Sequence, residues 1–447
     1  MDLRRFSPLL WILAVVAVAV FAGCGGHSSG GPSAGHQTVA PEGYGTVEFT
    51  IDWPEEVNPA YLPAEMNRVV IFVSAENMSQ PRAFIANRPD TGGSSTFTVD
   101  GIPSGHRRLF SAQARNVPNP GSQSTIDDPT HSQLVEGDIL ASGTAGPVDV
   151  LPNAVIDVDI TMERPAAPDP GDSDVDGNIN QVLKESFPSV VVFELFHDQD
   201  GNPITDLNAS NFRVTEDGQP CVVTDVRTAS QAQTPISVSL VLDRSPSMSG
   251  SNEELEAAAS EFVNLMGSQD QGEIVNFASD ISVDQTFTTD KQLLQNAIDN
   301  WDYLGGWTSL HDAVAVGAED AYHVGGRSAV VAMTDGEENE SDNYPYLSDL
   351  LPFLRGLGVP VFCVGLDSAD EDALEQIASE TGGLYHYAPD ASQLQDIYEA
   401  VSGQLEGQTQ IFFISPDPTV SGRTRTVEVT LINYGGFSFS RTIDYTM

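Results

Sequence analysis

The stretch LVLDRSPSMSG, Leu240 to Gly250, ends an apolar run in three oxygen-bearing side chains at alternate positions: Asp243, Ser245 and Ser247. Two later segments add similar groups. GGWTSLHDAV contributes Thr308 and MTDGEEN contributes Asp335. All five side chains offer oxygen, and none offers nitrogen or sulfur. That donor set suits a hard cation: magnesium, manganese or calcium. Taken singly, each residue has a plainer explanation, because Ser and Asp also favour turns and helix starts. Ser245 as a nucleophile would need a neighbouring base, and neither the motifs nor the histidine placement supplies one. The eight histidines form no H-E-x-x-H, and no G-x-S-x-G occurs. No enzyme is expected.

A second acidic pattern lies in PAAPDPGDSDVDGNIN. Asp172, Asp174 and Asp176 alternate and Gly177 follows, as in the first half of a calcium loop. The twelfth position of such a loop should be a bidentate carboxylate, and here it is Leu183. Two readings stay open: calcium in the linker, or an acidic solvated linker.

The five oxygen donors can meet only if the intervening chain folds them to one edge. Residues 233–405 alternate strand and helix patterns: PISVSLVLD, NEELEAAASEFVNLMG, GEIVNFAS, SVDQTFT, KQLLQNAIDNW, SLHDAVAVGAEDAYHV, AVVAMTD, YLSDLLPFLRGLG, PVFCVGL, EDALEQIASETG, LYHYA and ASQLQDIYEAVSGQL. This order predicts a mostly parallel sheet covered on both faces. The continuous apolar runs VVAM and VFCVGL fit strands buried on both sides. Ser251 and Glu254 are spaced for a capping box. In such sheets, ligands bind at the carboxyl ends of strands near the point where strand order reverses.

DRSPSMSG, GGWTSLHDAV and MTDGEEN, in this order and spacing, resemble the von Willebrand factor type A (VWA) domain. The family's mark is a metal-ion-dependent adhesion site, D-x-S-x-S with a distant Thr and Asp. The resemblance implies a doubly wound, Rossmann-like α/β domain that binds Mg2+, or Mn2+ or Ca2+. Ser245 and Ser247 would bind the ion through their hydroxyls, and Thr308 would bind directly or through water. Asp243 and Asp335 would act through coordinated waters and by orienting the hydroxyls. The partner would be a protein that contributes a carboxylate. Pro246 stands where many members have glycine. The resemblance also implies that ASQLQDIYEAVSGQL shifts when the site gains a ligand.

The remainder of the 447 residues supplies the setting. Asp and Glu number 64 against 19 Lys and Arg, a formal net charge of −45. Such a surface repels phosphate backbones, so no nucleic-acid partner is expected. Simple solvation and the handling of divalent cations both account for it. Residues 1–23 read as a lipoprotein signal peptide, with Arg4 and Arg5 before the apolar Leu9–Phe21. Phe21-Ala22-Gly23-Cys24 resembles the bacterial lipobox, which implies lipidation of Cys24, although Phe21 departs from the usual leucine. Gly25 after the cysteine implies the outer membrane. The expected location is the cell envelope, lipid-anchored, at the outer membrane or cell surface. Residues 24–43 are Gly/Ser/Pro-rich and read as a flexible tether.

Residues 44–164 carry short Val/Ile/Phe/Thr-rich segments and predict an N-terminal β-sandwich. Residues 165–186 read as an acidic linker. Residues 187–232 and 406–447 each hold about three strand patterns, too few for a core of their own. They predict one split β-sandwich with the α/β domain inserted. DQDGNP reads as a hairpin turn between SVVVFELFHD and NFRVTED. Cys363 in a buried strand and Cys221 read as free thiols more readily than as a bridge. The function expected is that of a cell-surface lipoprotein that captures a protein partner through its metal. The alternative is a constitutive structural component of an envelope or appendage assembly.

Overall fold

The computed structural model describes residues 43–447 except 53–65, 76–77, 79, 88–93, 119–124, 128, 168–174, 367–368, 389–390 and 421. Residues 1–42, with the signal segment, Cys24 and nearly all of the tether, lie outside the described residues, as do Asp172 and Asp174. Among the described residues, no helix is long and apolar enough to cross a membrane.

The α/β unit is built on a six-stranded sheet. Its spatial order is Ile281–Thr288, Gln271–Phe277, Ser237–Asp243, Ser328–Thr334, Val361–Leu366 and Tyr385–Ala388. All neighbours run parallel except Ile281–Thr288, an antiparallel edge strand. Every residue of Ser237–Asp243, Ser328–Thr334 and Val361–Leu366 is buried. Sandwiching between two helical layers explains this, since a strand covered on both faces needs no polar side. One layer is Asn252–Leu265, Lys291–Asp299 and Leu394–Gly407, with Phe262, Leu294 and Tyr398 in its core. The other is Leu310–Val324, Leu347–Leu357 and Glu371–Thr381, packed around Val314, Leu354 and Ile377. Gly317 sets how closely Leu310–Val324 lies on the sheet, because an added Cβ would come 2.8 Å from both Ser239 Oγ and Val241 Cγ2.

Two four-stranded sheets draw strands from both sides of this unit. One runs Val222–Thr228, Thr409–Ile414, Ser189–Asp198, Val175–Leu183, and the other Gln219–Pro220, Phe212–Glu216, Thr424–Tyr434, Phe437–Thr446. They share one apolar cluster that includes Val192, Phe196, Phe212, Phe413 and Val429. Part of the stretch read as a linker is therefore a strand. Val175–Leu183 pairs antiparallel with Ser189–Asp198 along its length. Asp, Gly and Asn are weak strand formers, but pairing and burial of Val175 override local propensity. DQDGNP does turn, with Gly201 at φ 81° and Asp198 N–H donating to Asn202 O at 3.0 Å. It does not close a hairpin between the two predicted strands, because Phe212–Glu216 joins the second sheet. Cys221 and Cys363 are both free and buried.

The N-terminal region holds a three-stranded sheet (Ser94–Pro103, Tyr44–Asp52, Val155–Thr161) and a five-stranded sheet (Thr125–Asp127, Arg82–Asn87, Arg68–Ser74, Gly105–Asn116, Asp138–Val150). Phe49 and Phe110 meet edge to face at 5.3 Å in the core between them. Asp138–Val150 carries no alternating pattern, since glycines and Pro147 interrupt it.

Glu194 is an outlier inside this architecture. It is fully buried, and neither carboxyl oxygen has a hydrogen-bond partner. Burial pushes its carboxyl well above the usual range. Its contribution to stability is therefore full at acidic pH and is lost as pH rises through the elevated value. Glu194→Leu is expected to stabilise the chain by about 1–4 kcal/mol at pH 8 and by less at pH 5. Calorimetric melting at the two pH values checks this, and an equal or reversed effect refutes it.

Candidate metal centre

Strand Ser237–Asp243 sits where the sheet changes winding direction, between Gln271–Phe277 and Ser328–Thr334. Asp243 is its last residue, and Asp335 follows the last residue of the neighbouring strand. The sequence thus delivers one carboxylate from each of two adjacent strands to the switch point.

Beyond Asp243 the chain forms a short 3-10 turn, Pro246–Gly250, with Pro246 at its first position. Pro fits there because its fixed φ suits a helical start and its missing N–H is not needed. Ser245 N–H donates to Asp243 Oδ1 at 2.8 Å, and Thr334 Oγ1 donates to Asp243 Oδ2 at 2.5 Å. Ser245 Oγ and Ser247 Oγ lie 2.9 Å apart, and Ser247 Oγ donates to Asp335 Oδ1 at 2.7 Å. Asp243, Ser245, Ser247 and Asp335 therefore form one hydrogen-bonded chain. Thr308 lies beside it: a Cβ on Gly336 would sit 3.4 Å from Thr308 Oγ1. Thr308 is fixed through its backbone, its N–H donating to Asn339 Oδ1 at 2.9 Å and its carbonyl accepting from Asn339 N–H at 3.1 Å. Four of the five sequence-predicted donors are thus linked, and Thr308 lies beside Gly336, the residue that follows Asp335.

Asp243 is fully buried, and its carboxyl is pushed up to about 6, mainly by burial and further by the nearby Asp335. Two carboxylates and three hydroxyls present only oxygen donors at this edge. A hard cation fits that donor set. Among the described residues, no group of three or more His, Cys, Asp or Glu side chains gathers as a metal site. Here the hydroxyls complete the donors.

Several supporting residues escape sequence reading. Arg244, the second residue of D-x-S-x-S, is buried behind the loop. It donates to Asn276 Oδ1 at 2.8 Å, Ile298 O at 2.9 Å and Glu256 Oε1 at 3.2 Å, and its guanidinium lies 4.8 Å from the Trp301 ring centre. This pins the backbone between Asp243 and Ser245. For a divalent cation held by this cluster, Arg244→Ala is expected to weaken binding by about 10–100-fold through loss of positioning alone. Isothermal titration checks it, and unchanged affinity would show that the loop holds its shape unaided.

Asp312 anchors the loop after Asp335. It accepts from the N–H groups of Asp342 and Asn343 at 3.1 Å and of Tyr344 at 2.9 Å. Glu338 is structural as well: it accepts from Glu340 N–H at 2.9 Å, Ser341 N–H at 2.7 Å and His311 N–H at 2.9 Å. The expected capping box does not form, because Ser251 caps Asn252–Leu265 with no side-chain hydrogen bond. In the acidic 172–176 pattern, only Asp176 is described. It lies on the strand Val175–Leu183, accepts from Gly177 N–H at 2.7 Å and is ion-paired with Arg441.

An open, doubly wound sheet with an all-oxygen cluster at its switch point defines an α/β domain of the Rossmann-like kind. Residues 237–400 match the model of the von Willebrand factor type A domain. No curated protein matches the chain. Among solved structures, it is similar to proximal thread matrix protein 1 from the mussel byssus, at 19% identity and TM-score 0.35, over 40% of this chain and 47% of that one. It thus spans about half the length of that protein. A von Willebrand factor type A protein from Catenulispora acidiphila aligns over 63% of this chain and 74% of its own, at 11% identity and TM-score 0.36. The vWF domain of the type V pili tip protein Mfa5 from Porphyromonas gingivalis aligns over 38% and 94%, at 13% identity and TM-score 0.32.

Proposed function

We propose that this chain binds a divalent cation through Asp243, Ser245, Ser247, Thr308 and Asp335, and through that cation an acidic residue of a protein partner. The observation that carries the reading is the continuous bonding from Asp243 through Ser245 and Ser247 to Asp335 at the strand ends, with Thr308 alongside. When bound, the ion supplies a Lewis-acidic centre able to accept an outside carboxylate. Neutral serine and threonine hydroxyls leave much of its positive charge unspent, and magnesium keeps exchangeable water positions. The chain's own residues orient the hydroxyls and hold the carboxylates of Asp243 and Asp335 at the strand ends. Family membership of the α/β domain supports protein–protein interaction as the role. The Cys24 motif supports anchoring at the cell envelope. The two β regions would serve as stalk and spacer, with the α/β domain inserted in the split sandwich.

The test is magnesium and manganese titration of the full chain, followed by partner capture from an envelope extract with and without chelator. Wild type is compared with Ser245→Ala. Capture that needs the ion and is lost in Ser245→Ala supports the reading. Capture indifferent to both sinks it. An ion that only raises the melting temperature, with no separable partner, favours a constitutive assembly component.

A further inference from the structure

The loop that carries Thr308 also carries two well-exposed aromatic rings. Trp307 is 59% exposed and Tyr303 is 78% exposed. The backbone beneath them is fixed. Asp280 N–H donates to Leu304 O at 2.7 Å, Trp307 N–H to Ser279 Oγ at 3.0 Å, and Ser309 N–H to Ala278 O at 2.8 Å. Gly305, at φ 106°, makes the turn, and a Cβ there would lie 2.5 Å from Ser279 Cβ. The Tyr303 hydroxyl would be 3.8 Å from a Cβ on Gly306, so the phenol lies beside the turn that leads to Trp307. Rigid aromatics held in water beside a ligand site mark a contact surface, because they bring large area at little entropic cost.

The charge around them has one sign. Asp280, Asp302, Glu337, Glu340 and Asp342 are exposed on the same set of loops. Segments 243–254, 278–281, 299–310 and 335–346 contain a single basic residue, Arg244, and it is buried. A partner that brought a carboxylate among further acids would be repelled by this rim. One that brought it among Lys or Arg residues would be attracted, and its cations would find ring faces to rest on.

We infer that the segment captured at this edge is a basic one, a metal-seeking carboxylate flanked by Lys or Arg, with Trp307 and Tyr303 receiving the flanking cations. This rests on the metal-centred reading above. The test uses three fluorescent peptides of equal length, with a central Asp between lysines, a central Asp between serines, and a central Asn between lysines. Each is titrated with the full chain in magnesium, at about 50 and 300 mM salt. The Asp–lysine peptide is expected to bind about tenfold tighter than the Asp–serine peptide at low salt, with most of that margin lost at high salt. Trp307→Ala combined with Tyr303→Ala is expected to weaken it about 3–10-fold while leaving the serine peptide unchanged. The Asn peptide and chelator are each expected to abolish binding. Equal affinity for the two Asp peptides, equal losses for both in the double variant, or no binding of the Asp–lysine peptide overturns the inference. If chelator still releases both Asp peptides when their affinities are equal, the metal reading stands and only this inference falls. If the Asp–lysine peptide stays bound in chelator, the metal reading falls with it.

Discussion

Asp243→Asn is expected to weaken magnesium binding by at least about 100-fold and yet to stabilise the chain when no cation is present. Both effects come from the same buried carboxylate. Asp243 accepts hydrogen bonds from Ser245 N–H and Thr334 Oγ1, and an amide can keep both contacts by donating to the threonine oxygen. What it cannot supply is charge. In the ion-free protein that charge is a burden, because burial raises the carboxyl to about 6 from an ordinary value of 3.8. A raised carboxyl contributes its stability below the unfolded value and loses it as pH rises through the folded one, here between about 4 and 6. At pH 7 in chelator, Asp243→Asn should therefore melt higher, by an equivalent of about 1–2 kcal/mol. In magnesium the order should reverse, because ligand binding stabilises only the chain that binds it. The same group makes cation and proton compete. Below pH 6, wild-type affinity should fall about tenfold per pH unit, and the residual affinity of Asp243→Asn should not follow that slope. Melting curves with and without magnesium, and titrations at pH 5 and 7, test the set. An unchanged melting order in the two conditions would mean that no cation engages Asp243.

Arg327→Ala is expected to cost about 3–5 kcal/mol, the largest stability loss we anticipate from a single substitution away from the metal centre. Arg327 is buried at the foot of the α/β unit, where the chain enters and leaves it. Its guanidinium donates to Thr234 O at 3.2 Å on the incoming segment. It also donates to Gln408 Oε1 at 2.8 Å and to Leu405 O on the outgoing one. It lies 5.9 Å from the ring centre of Phe193, on strand Ser189–Asp198. Burial lowers the guanidinium to about 10, so it stays charged at neutral pH. Alanine would leave Thr234 O and Gln408 Oε1 without this donor and Leu405 O with only the Gln408 N–H at 3.4 Å, and each unsatisfied buried group carries its own desolvation penalty. Lysine keeps the charge but not the fork, and should recover little. Urea denaturation measures the loss. Hydrogen exchange should show protection falling first in Leu394–Gly407, because that helix loses its carbonyl tie. A loss under 1 kcal/mol would mean that water takes over the junction.

The cluster of oxygen donors was legible in the chain because its signal is local and chemical. D-x-S-x-S needs only a strand end, and Thr308 and Asp335 each sit beside an obvious helix start or strand end. The groups that hold it in place were legible only in part. Arg244 occupies a position written as "x", and its partners Asn276, Glu256 and Ile298 come from three separate segments. Asp312, next to the Thr308 loop, reads as a loop anchor and does hold backbone N–H groups, whereas Glu338 reads as part of a solvated acidic loop and yet is a backbone anchor as well. The same division holds for the fold. Alternating apolar strands and amphipathic helices specify a layered α/β unit, since burial on two faces demands continuous apolar runs. Val175–Leu183 looked like solvent-facing chain, and only its pairing with Ser189–Asp198 makes it a strand.

By itself, then, the sequence determined which side chains carry oxygen, how they are spaced, and that helices and strands alternate around them. These are properties of short segments. Tertiary structure alone decided that two strands distant in sequence lie adjacent and aim Asp243 and Asp335 at one point. It also decided that Arg327 joins both ends of the α/β unit, and that Glu194 is enclosed without a partner. Such facts depend on contacts between residues far apart in the chain, and no local pattern records the free energy of closing those loops.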